Sequence, residues 1–193
     1  MTLPEPIRVT LIVTDVLESL HIPYLIGGSL ASTVHGIGRA TMDADILADL
    51  QLAHLEPIFR SLGGDFFVDE EAIRIAVSKR GSFNIIHKET MFKVDIFVQK
   101  GGEFDRSQLK RRVSELIDTD PERRVYFASP EDIILAKLDW YRMGGGVSDR
   151  QWRDVINVMR VQGERLDGVY LRKWAAYLQV EHLLDRALDE AGQ

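Results

Sequence analysis

The chain has 193 residues, enough for one sizeable core or for a core with a small helical annex. Its 45% hydrophobic and 28% charged residues exclude disordered and fibrous classes. The formal net charge of −6 speaks against broad, non-specific adhesion to nucleic acid, and the lack of cysteine excludes disulfides, thiolate-bound zinc and cysteine nucleophiles.

Residues 6–20 place Ile7, Leu11, Val16 and Leu20 three to five apart, which predicts an amphipathic helix. The start of the chain has one Arg and early acids and does not read as a signal peptide. No apolar run approaches the roughly 20 residues of a membrane span. A cytoplasmic protein without membrane contact is therefore expected. "IPYLIGG" reads as a short strand ended by glycines, and "SLASTVHG" as a short helix with Gly36 as its stop. "TMDADILAD" is the next strand, and residues 52–62 read as a helix with Pro57 near its first turn.

In "DEEAIRIAVSKRG", Asp69 suits the N-cap, acids fill the first turn, Lys79 and Arg80 the last, and Gly81 the stop. "SFNIIHKETMFKVDIFVQKGG" predicts a hairpin with strands near 83–87 and 92–98. A helix near 105–112 and a strand near 124–127 follow. The basic runs Lys110–Arg112 and Arg123–Arg124 read as solvated faces. From Ser129 the character changes. "SPEDIILAKLDWYRMGGG" opens on a Ser cap with Pro at the first helical position, and Ser148 to Gly163 repeats the scheme. Helices near 167–178 and 181–190 complete the chain. Trp140, Tyr141, Trp152 and Trp174 fall at helical spacing and read as core. The pattern divides the chain into an α/β part, residues 1–128, and a helical part, residues 129–193.

One strand carries an unusual load. Residues two apart in a strand share a face at about 6.6 Å, so Asp43 and Asp45 project together while Met42, Ala44 and Ile46 take the other side. Like charges on a half-buried sheet repel, and each loses hydration. A hard divalent cation offsets that, and Mg²⁺ favours one or two carboxylates plus phosphate oxygens. Asp95 in "MFKVDIFV" is a third acid inside an apolar strand. If its strand lies beside the first, three carboxylates converge, the set that a two-metal phosphoryl or nucleotidyl transfer site requires. An acidic pair at a water-exposed strand end accounts for Asp43 and Asp45 equally well. Gly27, Gly28 and Ser29 shift the balance. Glycines after a strand let backbone approach a ligand, and the next helix offers free N–H groups to a phosphate.

Together these residues resemble the nucleotidyltransferase superfamily with a DNA-polymerase-β-like fold, over roughly residues 22–98. Its pattern is apolar-Gly-Gly/Ser, a short helix, then apolar-Asp-x-Asp/Glu-apolar, seen here in Ile26–Ser29 and Met42–Ile46 with Asp95 as third acid. Within it the chain looks most like AbiEii/AbiGii toxin-type nucleotidyltransferases, matching Arg-x-Thr-x-Asp-x-Asp through Arg39, Thr41, Asp43 and Asp45. Lys137 and Asp154 sit where that type carries a Lys and an Asp in its helical half. The resemblance implies an α+β fold: a mixed β-sheet flanked by helices, followed by a C-terminal helical bundle. It implies transfer of a nucleoside monophosphate from an NTP to an acceptor hydroxyl, RNA or tRNA in toxin-type relatives, with a cognate antitoxin as a further partner. It assigns Asp43, Asp45 and Asp95 to two Mg²⁺ ions. Gly27, Gly28, Ser29, Arg39, Thr41 and Lys137 would hold the NTP, and Asp154 would orient Lys137 or the acceptor. Without the resemblance, snorkelling on an apolar helix explains Lys137 as well as a cation held against the triphosphate does, and a surface pair with a neighbouring Arg explains Asp154 equally well. Two other functions fit the same motif: an antibiotic-modifying nucleotidyltransferase with a small acceptor, and a binding module without turnover.

Overall fold

The structure, a computed structural model, describes residues 3–38, 40–119 and 122–192. The helices are α1 (Glu5–Ser19), α2 (Gly28–His35), α3 (Leu55–Leu62), α4 (Glu70–Ser78), α5 (Glu103–Arg111), α6 (Pro130–Met143), α7 (Asp149–Gln162), α8 (Gly168–Leu178) and α9 (Glu181–Ala191). The strands are β1 (Tyr24–Ile26), β2 (Asp43–Ala48), β3 (Phe66–Phe67), β4 (Ser82–His87), β5 (Lys93–Val98), β6 (Val113–Thr119) and β7 (Glu122–Phe127). They form one mixed sheet in the order β3-β4-β5-β2-β1-β7-β6. This is the expected α+β architecture, a mixed sheet with helices and then a helical run.

Two compact units divide the chain. One runs to Gly27 and resumes over Thr41–Phe127; the other joins Gly28–Ala40 to Ala128–Gln193. The sheet belongs entirely to the first. There β2 runs parallel to β5 and β1 parallel to β7, while the β4–β5 hairpin is antiparallel as its sequence predicts. One face of the central strands, made by Ala44, Ile46, Val94 and Ile96, is almost fully buried. The amphipathic α1 buries Val9, Leu11, Val13 and Leu17, and it packs against β2 and α3. At α4 the cap is as expected, since the Asp69 carboxylate accepts from the backbone N–H of Ala72 at 3.0 Å. Its end differs. Arg80 takes the left-handed turn, with φ 49°, and the N–H of Gly81 closes on the carbonyl of Ala76. Strands β3 and β6 have no counterpart in the sequence reading. The first is two residues long, and the second carries a register irregularity between Leu116 and Asp118 that breaks its alternation.

Tyr24 shows how α1 locks onto β1. The ring is buried, and its hydroxyl donates to the Glu18 carboxylate in the last turn of α1. Burial, and then the Glu18 hydrogen bond, hold the phenol well above its ordinary range. A phenol whose folded pKa is raised stabilises the fold fully below the unfolded value of about 10 and progressively less above it. The unfolding free energy is therefore expected to fall above about pH 10, by at most about 1.4 kcal/mol per pH unit from this group. Urea midpoints at about pH 9 and about pH 11 check this. Tyr24→Phe should show a shallower fall than the parent, and identical pH dependence would refute the assignment.

In the second unit α2 docks among the C-terminal helices. The segment 28–40, which the sequence places with the α/β part, is held there by hydrogen bonds. His35 Nε2 lies 2.9 Å from the Ala128 carbonyl, and the Gln162 amide donates to the His35 carbonyl at 2.7 Å. Gly36 allows the close approach to α7. A Cβ there would meet the Ser32 carbonyl oxygen at 2.9 Å and Val158 at 3.2 Å. The Ser129 and Ser148 hydroxyls cap α6 and α7 as predicted, accepting from Asp132 and Gln151. Tyr141, Trp152 and Trp174 are core, whereas Trp140 is half exposed. Among the described residues, no helix is long and apolar enough to cross a membrane.

Candidate functional site

The parallel pairing of β2 with β5 sets Asp45 directly opposite Asp95, and Asp43 opposite Lys93. Paired residues of neighbouring strands point the same way, so Asp43, Asp45, Lys93 and Asp95 share one face. That face is half-buried, and the intervening residues Ala44, Ile46, Val94 and Ile96 fill the opposite side. Strand spacing puts the backbones of Asp45 and Asp95 about 4.8 Å apart. Two carboxylates at about 5 Å repel by roughly 3 kcal/mol at an effective dielectric constant of about 20. Asp43 adds a third negative charge one pleat along.

Local bonds hold each acid. The Thr41 hydroxyl lies 2.9 Å from Asp43 Oδ1 and 3.0 Å from the Asp43 carbonyl oxygen, so it orients the first carboxylate. The N–H of Gly27 donates to the Asp45 carbonyl at 2.8 Å, which ties the end of β1 to the acidic strand. Lys93 Nζ stands 2.6 Å from Asp95 Oδ2. Its hydrogen bond to Asp95 holds the ammonium above the usual lysine range. Burial, the next influence in size, opposes this, and attraction to Asp95, Asp43 and Asp45 adds to it. The sequence reading passed over Lys93. The signal was present, because Lys93 lies two residues before Asp95 and strand alternation puts both on one face.

The donors suit a hard divalent cation in type: carboxylate oxygens from two adjacent strands, on a face that already attracts a side-chain cation. Their present rotamers are committed elsewhere, Asp95 to Lys93 and Asp43 to Thr41. Among the described residues, no three acidic or histidine side chains converge as they stand on a point where one metal ion could bind. Metal binding would require the contact between Asp95 and Lys93 to open.

The second unit holds the remaining candidates that the structure describes. Gly28 opens α2 with φ 54°, a conformation that strains any residue with a Cβ. Ser29 is buried, and the Arg150 guanidinium lies 3.3 Å from its hydroxyl. Lys137 and Asp154 pair with each other, Nζ to Oδ2 at 2.9 Å, both more than nine-tenths buried. Lys137 therefore does not snorkel to solvent, and Asp154 is not a surface acid. Arg39 lies outside the described residues.

A scan of protein-family models finds no match, and a search of curated proteins finds none. Solved structures do match. The chain is similar to an antigenic nucleotidyltransferase-like protein from Paracoccidioides brasiliensis, at 18% identity and TM-score 0.53, over 93% of this chain and 91% of that one. It is similar to the antibiotic-resistance factor ANT(2'')-Ia, at 15% identity and TM-score 0.59, over 93% of this chain and 96% of that one. A lincomycin-bound lincosamide antibiotic adenylyltransferase, LnuA, matches at 14% identity and TM-score 0.50, over 83% of this chain and 99% of that one. At such identities the likeness is one of architecture: the chain has the nucleotidyltransferase-like fold.

Proposed function

We propose that this protein transfers a nucleoside monophosphate from an NTP to an acceptor hydroxyl, with Mg²⁺ as the metal. The observation that carries the reading is the parallel register of β2 and β5. It sets Asp95 opposite Asp45 and leaves Asp43, Asp45 and Asp95 on one half-buried face of a nucleotidyltransferase-like sheet. Keeping three acids together has no evident structural benefit, since their mutual repulsion weakens the fold. A binding module without turnover has no use for them.

The chemistry is a substitution at the α-phosphorus. The acceptor hydroxyl gives up its proton to a nearby base or to water, its oxygen forms a new bond to that phosphorus, and the bond to the bridging oxygen breaks as pyrophosphate leaves with the electron pair. Bound Mg²⁺ would supply charge neutralisation of the phosphates and alignment of the two oxygens. Asp43 and Asp45 would hold it, and the Thr41 hydroxyl would orient the Asp43 carboxylate through its bond to Oδ1. Asp95 would complete the ligand set and orient the acceptor hydroxyl. The gain in rate would come from positioning and electrostatics.

For the acceptor, two of the matching structures favour a small molecule. One is described as an antibiotic-resistance factor and the other as an antibiotic adenylyltransferase. The net charge of −6 agrees with a small acceptor better than with a polyanion. The toxin-type motif through Thr41, Asp43 and Asp45 favours RNA instead. Incubating the protein with Mg²⁺ and each of the four α-labelled NTPs separates them. Label should move to a lincosamide or another hydroxyl-bearing antibiotic under the first reading, and to total RNA under the second. No transfer to any acceptor, with no melting shift on adding Mg²⁺ and NTP, would refute the proposed activity.

A further inference from the structure

We infer that Lys93 is a tethered counter-ion of the three-carboxylate face and makes divalent-cation binding there conditional on the nucleotide. The inference deepens the function proposed above and rests on it. Lys93 faces Asp43 across the strand pair and contacts Asp95 on its own strand at 2.6 Å. It therefore sets one positive charge beside the carboxylates that would hold a divalent ion.

Charge counting gives the consequence. Asp43, Asp45, Asp95 and Lys93 together leave two net negative charges, which one divalent ion balances. A second ion would leave the cluster positive, and the triphosphate, with about four negative charges, reverses that. Lys93 is also free to move. Its side chain is 42% exposed, against 20% for Asp95, so the ammonium can swing to solvent on its four-carbon stem while the acid stays in place. A lysine released from Asp95 then has a partner in the incoming phosphate oxygens, which bind an ammonium well as a point charge. With the nucleotide present, release of Lys93 exchanges one anionic partner for another. Without it, release leaves the ammonium unpaired beside an incoming divalent ion. Metal and nucleotide should each tighten the other's binding, with Lys93 as the residue that couples them.

Manganese titration of the full chain, read by the signal of free Mn²⁺, tests this. It is run on the parent, Lys93→Met, Lys93→Arg and Asp45→Asn, with and without a non-hydrolysable NTP analogue. Without nucleotide, Lys93→Met is expected to bind Mn²⁺ about tenfold more tightly than the parent, within the usual range of coupling between sites. The analogue should tighten Mn²⁺ binding in the parent and in Lys93→Arg, and much less in Lys93→Met. In chelator, Lys93→Met should also melt below the parent, because the three acids lose their counter-ion, and Mn²⁺ should restore it. If Lys93→Met does not fold, Lys93→Gln serves in its place. Equal Mn²⁺ affinity for parent and Lys93→Met without nucleotide, with binding lost in Asp45→Asn, would overturn the counter-ion role and leave the proposed metal site standing. No Mn²⁺ binding by any of the proteins, even with the analogue, would overturn both.

Discussion

Asp45→Asn is expected to lower nucleotide transfer by several orders of magnitude, while its stability without metal stays within about 1 kcal/mol of the parent. Asp45 stands opposite Asp95 and one pleat from Asp43, so it is the neighbour of both other acids on that face. The amide keeps the shape of the side chain and removes its charge, and with it one ligand able to hold a cation against the phosphates. Two effects on stability oppose each other. Repulsion from Asp43 and Asp95 is relieved, and attraction to Lys93 is weakened. Thermal melting reads the difference. With Mg²⁺ and NTP the parent should gain stability by mass action and the variant little. Equal shifts for both proteins with each of the four NTPs would count decisively against a metal site at Asp45. A binding module would give a different pattern, with no turnover by the parent.

The largest effect on stability is expected at Asp154. Lys137 and Asp154 are 9% and 5% exposed, and each is the other's charged partner at 2.9 Å. Removing one member of a buried pair leaves the other charge desolvated, at about 3–5 kcal/mol. That is a large share of the roughly 5–15 kcal/mol that holds a typical domain together. Asp154→Ala should therefore lower the urea midpoint sharply. The double variant Lys137→Met with Asp154→Leu should recover most of the loss, since an apolar pair of similar volume is often neutral or better. The interaction energy from this cycle should be well above 1 kcal/mol, as for residues in direct contact. If the single and double variants are equally destabilised, the pair contributes packing and not charge. The double variant also separates fold from chemistry. Should it fold like the parent and still lose transfer, the charged pair acts in the reaction as well as in the core.

Much of the local structure was legible because its causes are local. Asp69, Ser129 and Ser148 stop the chain at helix starts by accepting from N–H groups three residues on, and each does so in the structure. Alternation in "DADIL" and "KVDIF" puts Asp43 with Asp45, and Lys93 with Asp95, whatever the rest of the chain does. Asp95 is separated from Asp45 by fifty positions. Only the parallel register of β2 and β5 decides that these two residues face each other and that Lys93 faces Asp43. Strand pairing over that separation depends on side chains contributed by many segments at once, so no short window encodes it. The same limit hid β6, whose irregular register spoils the period-two signal, and the place of residues 28–40, which depends on partners at Ala128, Arg150 and Gln162. Sequence alone determined which residues carry charge and which face of a strand or helix they occupy. Tertiary structure decided what those charges meet: Asp95 for Asp45, Asp43 for Lys93, and Asp154 for Lys137, because burial and pairing are properties of the packed chain.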